Sequence, residues 1–197
     1  MHLISPADER LDALHAALDA ARALKPDGMG LVGYGIAELR DGDGRTKQLV
    51  PFRNLITDAG DLYIAGKVIV GIAPASPSAP TAANGMKLGT GGTAVAKSGA
   101  GGALVTYLTA SNVAFDATYP QTANLGGGLG VNSVYRTTWA AGVATNSAIT
   151  EVAIVNDQAS NATSTAGNTY SRALITTVNK GASDSLQITW NWKALGA

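Results

Sequence analysis

The chain has 197 residues, long enough to bury a real core, and its 14 basic residues balance its 14 acidic ones to a formal net charge of zero. Charged residues make up only 14% of it, against roughly 25% in an average globular domain, and nucleic-acid binding lacks the clustered Lys and Arg that displace counterions. The absence of cysteine excludes disulfides, zinc-thiolate sites and thiol nucleophiles together.

Ten of the 14 acids lie at or before Asp61, leaving Asp116, Glu151, Asp157 and Asp184 for the rest. A neutral surface of Ala, Gly, Thr, Ser and Asn repels its copies little and suits close packing beside neighbours. No apolar run approaches the ~20 residues that span a bilayer. The opening "MHLISPADERLDAL" lacks the basic-then-apolar layout of a secretory signal, so the expected site of synthesis is the cytoplasm, with no membrane partner.

In chain order, "SPADERLDALHAALDAARALK" (5–25) predicts a helix. Ser5 suits the N-cap, Pro6 the first turn, and Asp8 the acceptor of a capping box. Acids lead and bases trail, matching the helix dipole. Leu11, Leu14, Leu18 and Ala21 form one apolar stripe, which fits either packing on the same domain or a seam between copies. "GLVGYGIAELRDGDGRTKQLVPF" predicts a hairpin turning at Asp41–Gly44, and the helix and hairpin together make an expected docking and oligomerisation segment, 1–53. A short helix capped by Thr57, with Asp58 and Asp61 in its first turn, and a Pro-rich linker follow in 54–85.

From residue 86 to 197 short β-branched or aromatic runs alternate with turn residues. The candidate strands are "ALVTYLTA", "SVYRTTWAA", "ITEVAIVN", "YSRALITTV" and "SLQITWNWKAL". In the last, Leu186, Ile188, Trp190 and Trp192 alternate with Gln187, Thr189, Asn191 and Lys193. The expected fold is mainly β with an N-terminal helix, the β domain being an antiparallel sandwich or barrel. "NDQASNATSTAGN" (156–168) reads as a polar loop, mobile or bound to a partner.

Chemistry has few footholds. "KLGTGGTAVAKSG" (87–99) resembles a phosphate cradle, but Ala96 stands where a Walker loop needs glycine before Lys97-Ser98. Gly89-Thr-Gly91-Gly-Thr-Ala94 fits a dinucleotide fingerprint in form only. Such a fingerprint must open a helix, and Gly99, Gly101 and Gly102 would each cost that helix about 1 kcal/mol. These glycines read as turns. His2 and His15 sit together in the N-terminal segment, away from any acid–base partner in the β region. Asp41-x-Asp43 starts a calcium loop without completing it. Glu151, Arg172, Lys180 and Asp184 read as salt bridges and turn anchors in preference to a catalytic pair. Asn161-Ala-Thr163 fits a glycosylation sequon of little weight without a secretion signal. No catalytic residue, cofactor site or metal site is expected.

The order of segments "NLITDAGDLYIA", a Pro-rich stretch, "MKLGTGGTAVAKSGAGGAL", "YRTTWAAGVATNSAITEVAIVND" and "YSRALITTVNKGASDSLQITWNWKALG" resembles a group of tailed-bacteriophage virion proteins of tail-fibre-like, minor-tail or head-decoration type. The likeness covers roughly 54–195. It implies a non-enzymatic β domain assembled on a particle beside other capsid or tail proteins, and it carries over no catalytic residues. The expected state is a homo-oligomer, a trimer if the helix stripe is an inter-subunit seam. The alternative is a soluble carbohydrate or receptor binder stacking sugars on Trp139, Trp190, Trp192 and Tyr170. If those rings are buried instead, they belong to core or interface.

Overall fold

A computed structural model describes residues 30–68, 81–125 and 130–195. Its elements are β1 (Gly30–Arg40), β2 (Thr46–Arg53), β3 (Leu55–Ile56), α1 (Asp58–Val68), β4 (Gly85–Gly89), β5 (Val113–Ala114), β6 (Gln121–Asn124), β7 (Val131–Trp139), β8 (Asn146–Val155), β9 (Thr169–Lys180) and β10 (Ser185–Leu195). Two five-stranded antiparallel sheets result, in the orders β2-β1-β10-β7-β6 and β3-β9-β8-β4-β5. The predicted helix 5–25, with Leu11, Leu14, Leu18, Ala21 and both histidines, lies outside the described residues.

Local chemistry explains the connections. Asp41 closes the β1–β2 turn, its carboxylate accepting from Asp43 N at 3.0 Å and Arg45 N at 2.9 Å. Gly44, at φ +80°, supplies the left-handed residue of that turn. Thr57 caps α1 as expected, its hydroxyl accepting from Gly60 N at 3.2 Å, with Asp58 and Asp61 in the first turn.

The predicted hairpin is present, but it is no separate segment. β1 is hydrogen-bonded along its whole length to β10, from Gly30 opposite Leu195 to Arg40 opposite Ser185. A boundary at residue 53 therefore cuts through one sheet, because the first and last strands complete each other's ladders.

The sheets share one apolar core. Leu186, Ile188, Trp190 and Trp192 of β10 lie with Ala37, Leu39, Val50, Phe52 and Trp139 of the first sheet. Met86, Leu88, Val152, Ile154 and Val178 come from the second. Gly35 leaves the space in which the Phe52 ring lies; a Cβ there would stand 2.2 Å from it. Phe52 in turn meets Trp190 edge-on, ring centroids 5.0 Å apart. Among the described residues neither sheet closes on itself, so the barrel form of the expectation is overturned. Each sheet ends in edge strands, β2 and β6 in one, β3 and β5 in the other.

Of the five predicted strands, four form. "ALVTYLTA" (103–110) does not; it makes a single bridge, Tyr107 to Gly89. Leu108 N reaches β4, donating to Leu88 O at 2.9 Å, but Val105 N and Thr106 N donate to the Glu151 carboxylate instead of to a ladder. The segment lies over the second sheet, where Leu104 and Tyr107 pack on Ala153 and Val155 of β8. Around β4 that sheet is thus buried on both faces, which is why β4 is buried throughout.

Candidate functional site

The glycine-rich stretch is the place where the sequence most resembles a binding site, and the structure shows what it holds. β4 ends at Gly89, and the chain then loops over β8 and β9. Glu151 of β8 and Arg172 of β9 project from the same face of the second sheet into this loop, and both are fully buried.

Glu151 Oε1 accepts from Gly91 N and Thr106 N, each at 2.9 Å. Oε2 accepts from Val105 N at 3.2 Å and from Arg172 Nε and Nη2 at 3.0 and 2.7 Å. The remaining guanidinium hydrogens go to main-chain carbonyls: Nη2 to Thr93 O at 2.9 Å, Nη1 to Gly101 O at 3.1 Å and to Ala94 O at 3.5 Å. A cradle of backbone amides does exist, but its anion is the chain's own carboxylate. Gly89 and Gly91 make it possible, since a Cβ on either would stand 2.5 Å from Glu151 Oε1. Reading these glycines simply as turns is therefore corrected. Gly99, at φ +67°, opens a single 3₁₀ turn over Gly99–Gly102, while Gly89 lies in β4 and Gly91 lines the carboxylate.

A second hub lies beside it. Lys87 of β4 is fully buried, with Nζ 2.8 Å from Ala162 O and 3.0 Å from Asp157 Oδ1. Asp157 also accepts from Ser164 Oγ at 2.6 Å. Asn161 Oδ1 accepts from Tyr107 Oη and Ala110 N, both at 2.7 Å. Gln158 Nε2 donates to Asn112 O and Asn112 Nδ2 to Gln158 O, at 3.1 and 3.0 Å. The loop 156–168, expected to be mobile or partner-bound, is fastened to its own chain. The sequon asparagine, Asn161, is part of that fastening. Sequence reasoning passed over Lys87; the signal was a lysine alternating into a strand that is otherwise apolar or glycine.

Asp184 and Lys180 anchor the β9–β10 turn. Asp184 accepts from Lys47 Nζ at 2.7 Å and from Gly181 N at 2.8 Å, and these bonds, Lys47 first, hold its carboxyl below the usual range. Lys180 Nζ donates to Ala140 O and Asp184 O at 3.0 and 2.7 Å, and burial lowers its ammonium below the ordinary lysine value. A shallow cavity of about 290 Å³ borders this turn, lined by Leu39, Lys47, Gln48, Asn179 and Gly181. All four charges named from the sequence are salt bridges or turn anchors. Asp41 and Asp43 are used in their own turn and a bond to Arg45. Among the described residues no cluster of three His, Asp or Glu is placed to hold a metal.

The aromatic candidates go inward. Trp139, Trp190 and Tyr170 are fully buried and Trp192 is 4% exposed. Trp139 Nε1 donates to Ser111 O at 2.7 Å, and Tyr170 stacks on Tyr63 of α1 at 5.1 Å. The sugar-stacking platform that these rings would have made does not reach the surface. Compared with protein-family profiles, curated proteins and solved structures, the chain matches none.

Proposed function

We propose that the chain is a non-enzymatic structural protein of a tailed-bacteriophage particle, acting by protein–protein assembly through a sandwich-like β domain. The observation that carries the non-enzymatic part is the Glu151–Arg172 hub. The one stretch with a ligand-binding look presents its amides to an internal carboxylate, and the guanidinium that could have met a phosphate is saturated by Glu151 and main-chain carbonyls. The particle assignment rests on the order of segments across 54–195. A chain with only 14% charged residues and zero formal net charge adds support, because weak self-repulsion favours dense packing. Partners on this reading are other capsid or tail proteins and copies of the chain itself, in a closed homo-oligomer.

Two measurements test it. Calorimetry with ATP, GTP and NAD should give no heat of binding, and micromolar affinity for any of them would end the reading of 87–106 as a self-filled cradle. Mass spectrometry and immunogold labelling of purified phage particles from the source of this sequence should find the chain on the particle. Recovery solely in the soluble fraction of infected cells would refute the virion assignment.

A further inference from the structure

The first sheet has two faces, and the described residues account for only one. Its inner face meets the second sheet in the shared core. Its outer face carries Tyr34, Ile36 and Glu38 of β1, Thr189, Asn191 and Lys193 of β10, and Val134 and Arg136 of β7, as the pairing register requires. A solvent-facing sheet would leave its central side chains well exposed. Instead Tyr34 is 4%, Asn191 8% and Lys193 5% exposed. These three are neighbours: Tyr34 is paired with Asn191, and the Lys193 ammonium lies 5.1 Å from the centre of the Tyr34 ring. Strand neighbours such as Asn132, which donates to Asn191 Oδ1 at 2.8 Å, flank these side chains, and burial of all three together points to cover from above the sheet. The described elements that pack closely on β1 and β10 are β2, β3 and β7. The loop that wraps one corner of this face, through Asp116 and Tyr119, makes its contacts at Arg136 and Thr138, on β7. Burial also pushes the Tyr34 phenol above its ordinary value.

We propose that the outer face of the first sheet is the docking surface of the chain's own N-terminal segment, residues 1–29, through the stripe Leu11, Leu14, Leu18 and Ala21. The segment runs directly into Gly30, the first residue of β1. Between the end of the stripe-bearing stretch and β1 stand Pro26, Asp27, Gly28 and Met29. A connection of four residues that includes Pro and Gly is long enough to reverse the chain and short enough to keep the preceding segment beside the strand it feeds. Because the inner side of β1 is already filled, only the outer face remains. Lengths agree as well: a helix over 5–25 measures about 31 Å at 1.5 Å per residue, and an eleven-residue strand such as β1 about 36 Å. The stripe is thereby used within the chain and does not form a seam between copies. The proposal is independent of the particle assignment.

The absence of cysteine makes the test clean. In the full chain, Thr189→Cys is combined in turn with Leu11→Cys, Leu14→Cys and Leu18→Cys, then oxidised. An intrachain disulfide in at least one pair, seen as a faster monomer band without reductant, is expected, since a bridge needs Cα atoms within about 7 Å. A covalent dimer in its place would assign the cover to a second copy and overturn the proposal, as would no bridge in any pair.

Thiol labelling gives a second readout. Asn191→Cys should react with a maleimide at least about tenfold more slowly than the exposed control Thr176→Cys, and adding Leu14→Asp should bring the two within about twofold. Retained β-type circular dichroism would show that the sheets remain folded. Equal reactivity before Leu14→Asp is added, or protection unchanged after it in a chain that remains folded, would overturn the proposal.

Discussion

Trp190 shows how much one side chain contributes. It is fully buried, meets Phe52 edge-on and lies between Gly35 and Tyr135 on the neighbouring strands. Trp190→Ala removes a large apolar group from a close-packed core and should cost about 3–5 kcal/mol of unfolding free energy. Thr176→Ala, at an exposed position of β9, should cost under about 1 kcal/mol. Denaturant unfolding of both variants checks the pair. Arg172 acts differently, since its loss strands a buried carboxylate. Arg172→Leu should destabilise the chain by about 3–5 kcal/mol in the same assay, chiefly through the unpaired charge left on Glu151.

Among elements, the long covering segment after β4 is held by side chains more than by a ladder. Gly89→Ala would set a Cβ 2.5 Å from Glu151 Oε1 and 2.6 Å from Thr106 O, and backbone cannot move aside cheaply. The expected cost is about 1–3 kcal/mol, typical of overpacking, with faster hydrogen exchange at Val105 and Thr106. The loop 156–168 depends on Lys87 in a comparable way. Asp157→Ala removes the carboxylate that bridges Lys87 and Ser164. Limited proteolysis should then cut within 157–164 sooner than in the unaltered chain, while β8 and β9 remain protected. Equal cutting rates would mean that the Asn161 and Gln158 bonds suffice to hold the loop.

At the scale of the whole molecule, stability should fall at both ends of the pH range. Asp184 has a folded carboxyl below its unfolded value, so its contribution is complete above roughly pH 4 and is lost as pH falls through the lower folded value. Tyr170 is the alkaline counterpart. Burial, the leading cause, pushes its phenol up to about 12. Its contribution is complete below about pH 10 and is lost as pH rises toward the folded value, because only the unfolded chain ionises it readily. Burial raises the Tyr135 phenol in the same direction. Thermal unfolding across pH should show both limbs, and Tyr170→Phe should make the alkaline limb shallower.

Strict alternation in "SLQITWNWKAL" was enough to divide β10 into two faces, because a pleated strand permits no other division, but that the Leu186–Trp192 face turns to the core was decided by the packing of the two sheets. The β1–β2 turn and the Thr57 cap were legible for a similar reason, since Asp and Thr act on amides within four residues of themselves. Contacts between distant segments were not legible. Nothing near Gly89 announces that its missing Cβ makes room for a carboxylate 62 residues later, at 151. β5 and β6 escaped notice because they are short and lack an apolar alternation. The misread strand 103–110 has the right residue types, and the competitor for its amides, Glu151, arrives only when β8 is in place. Local hydrogen bonding and side-chain alternation are properties of neighbouring residues and can be read along the chain. Partner choice for a buried charge or a free amide depends on which strands pair, and that was decided when the two sheets closed on a common core.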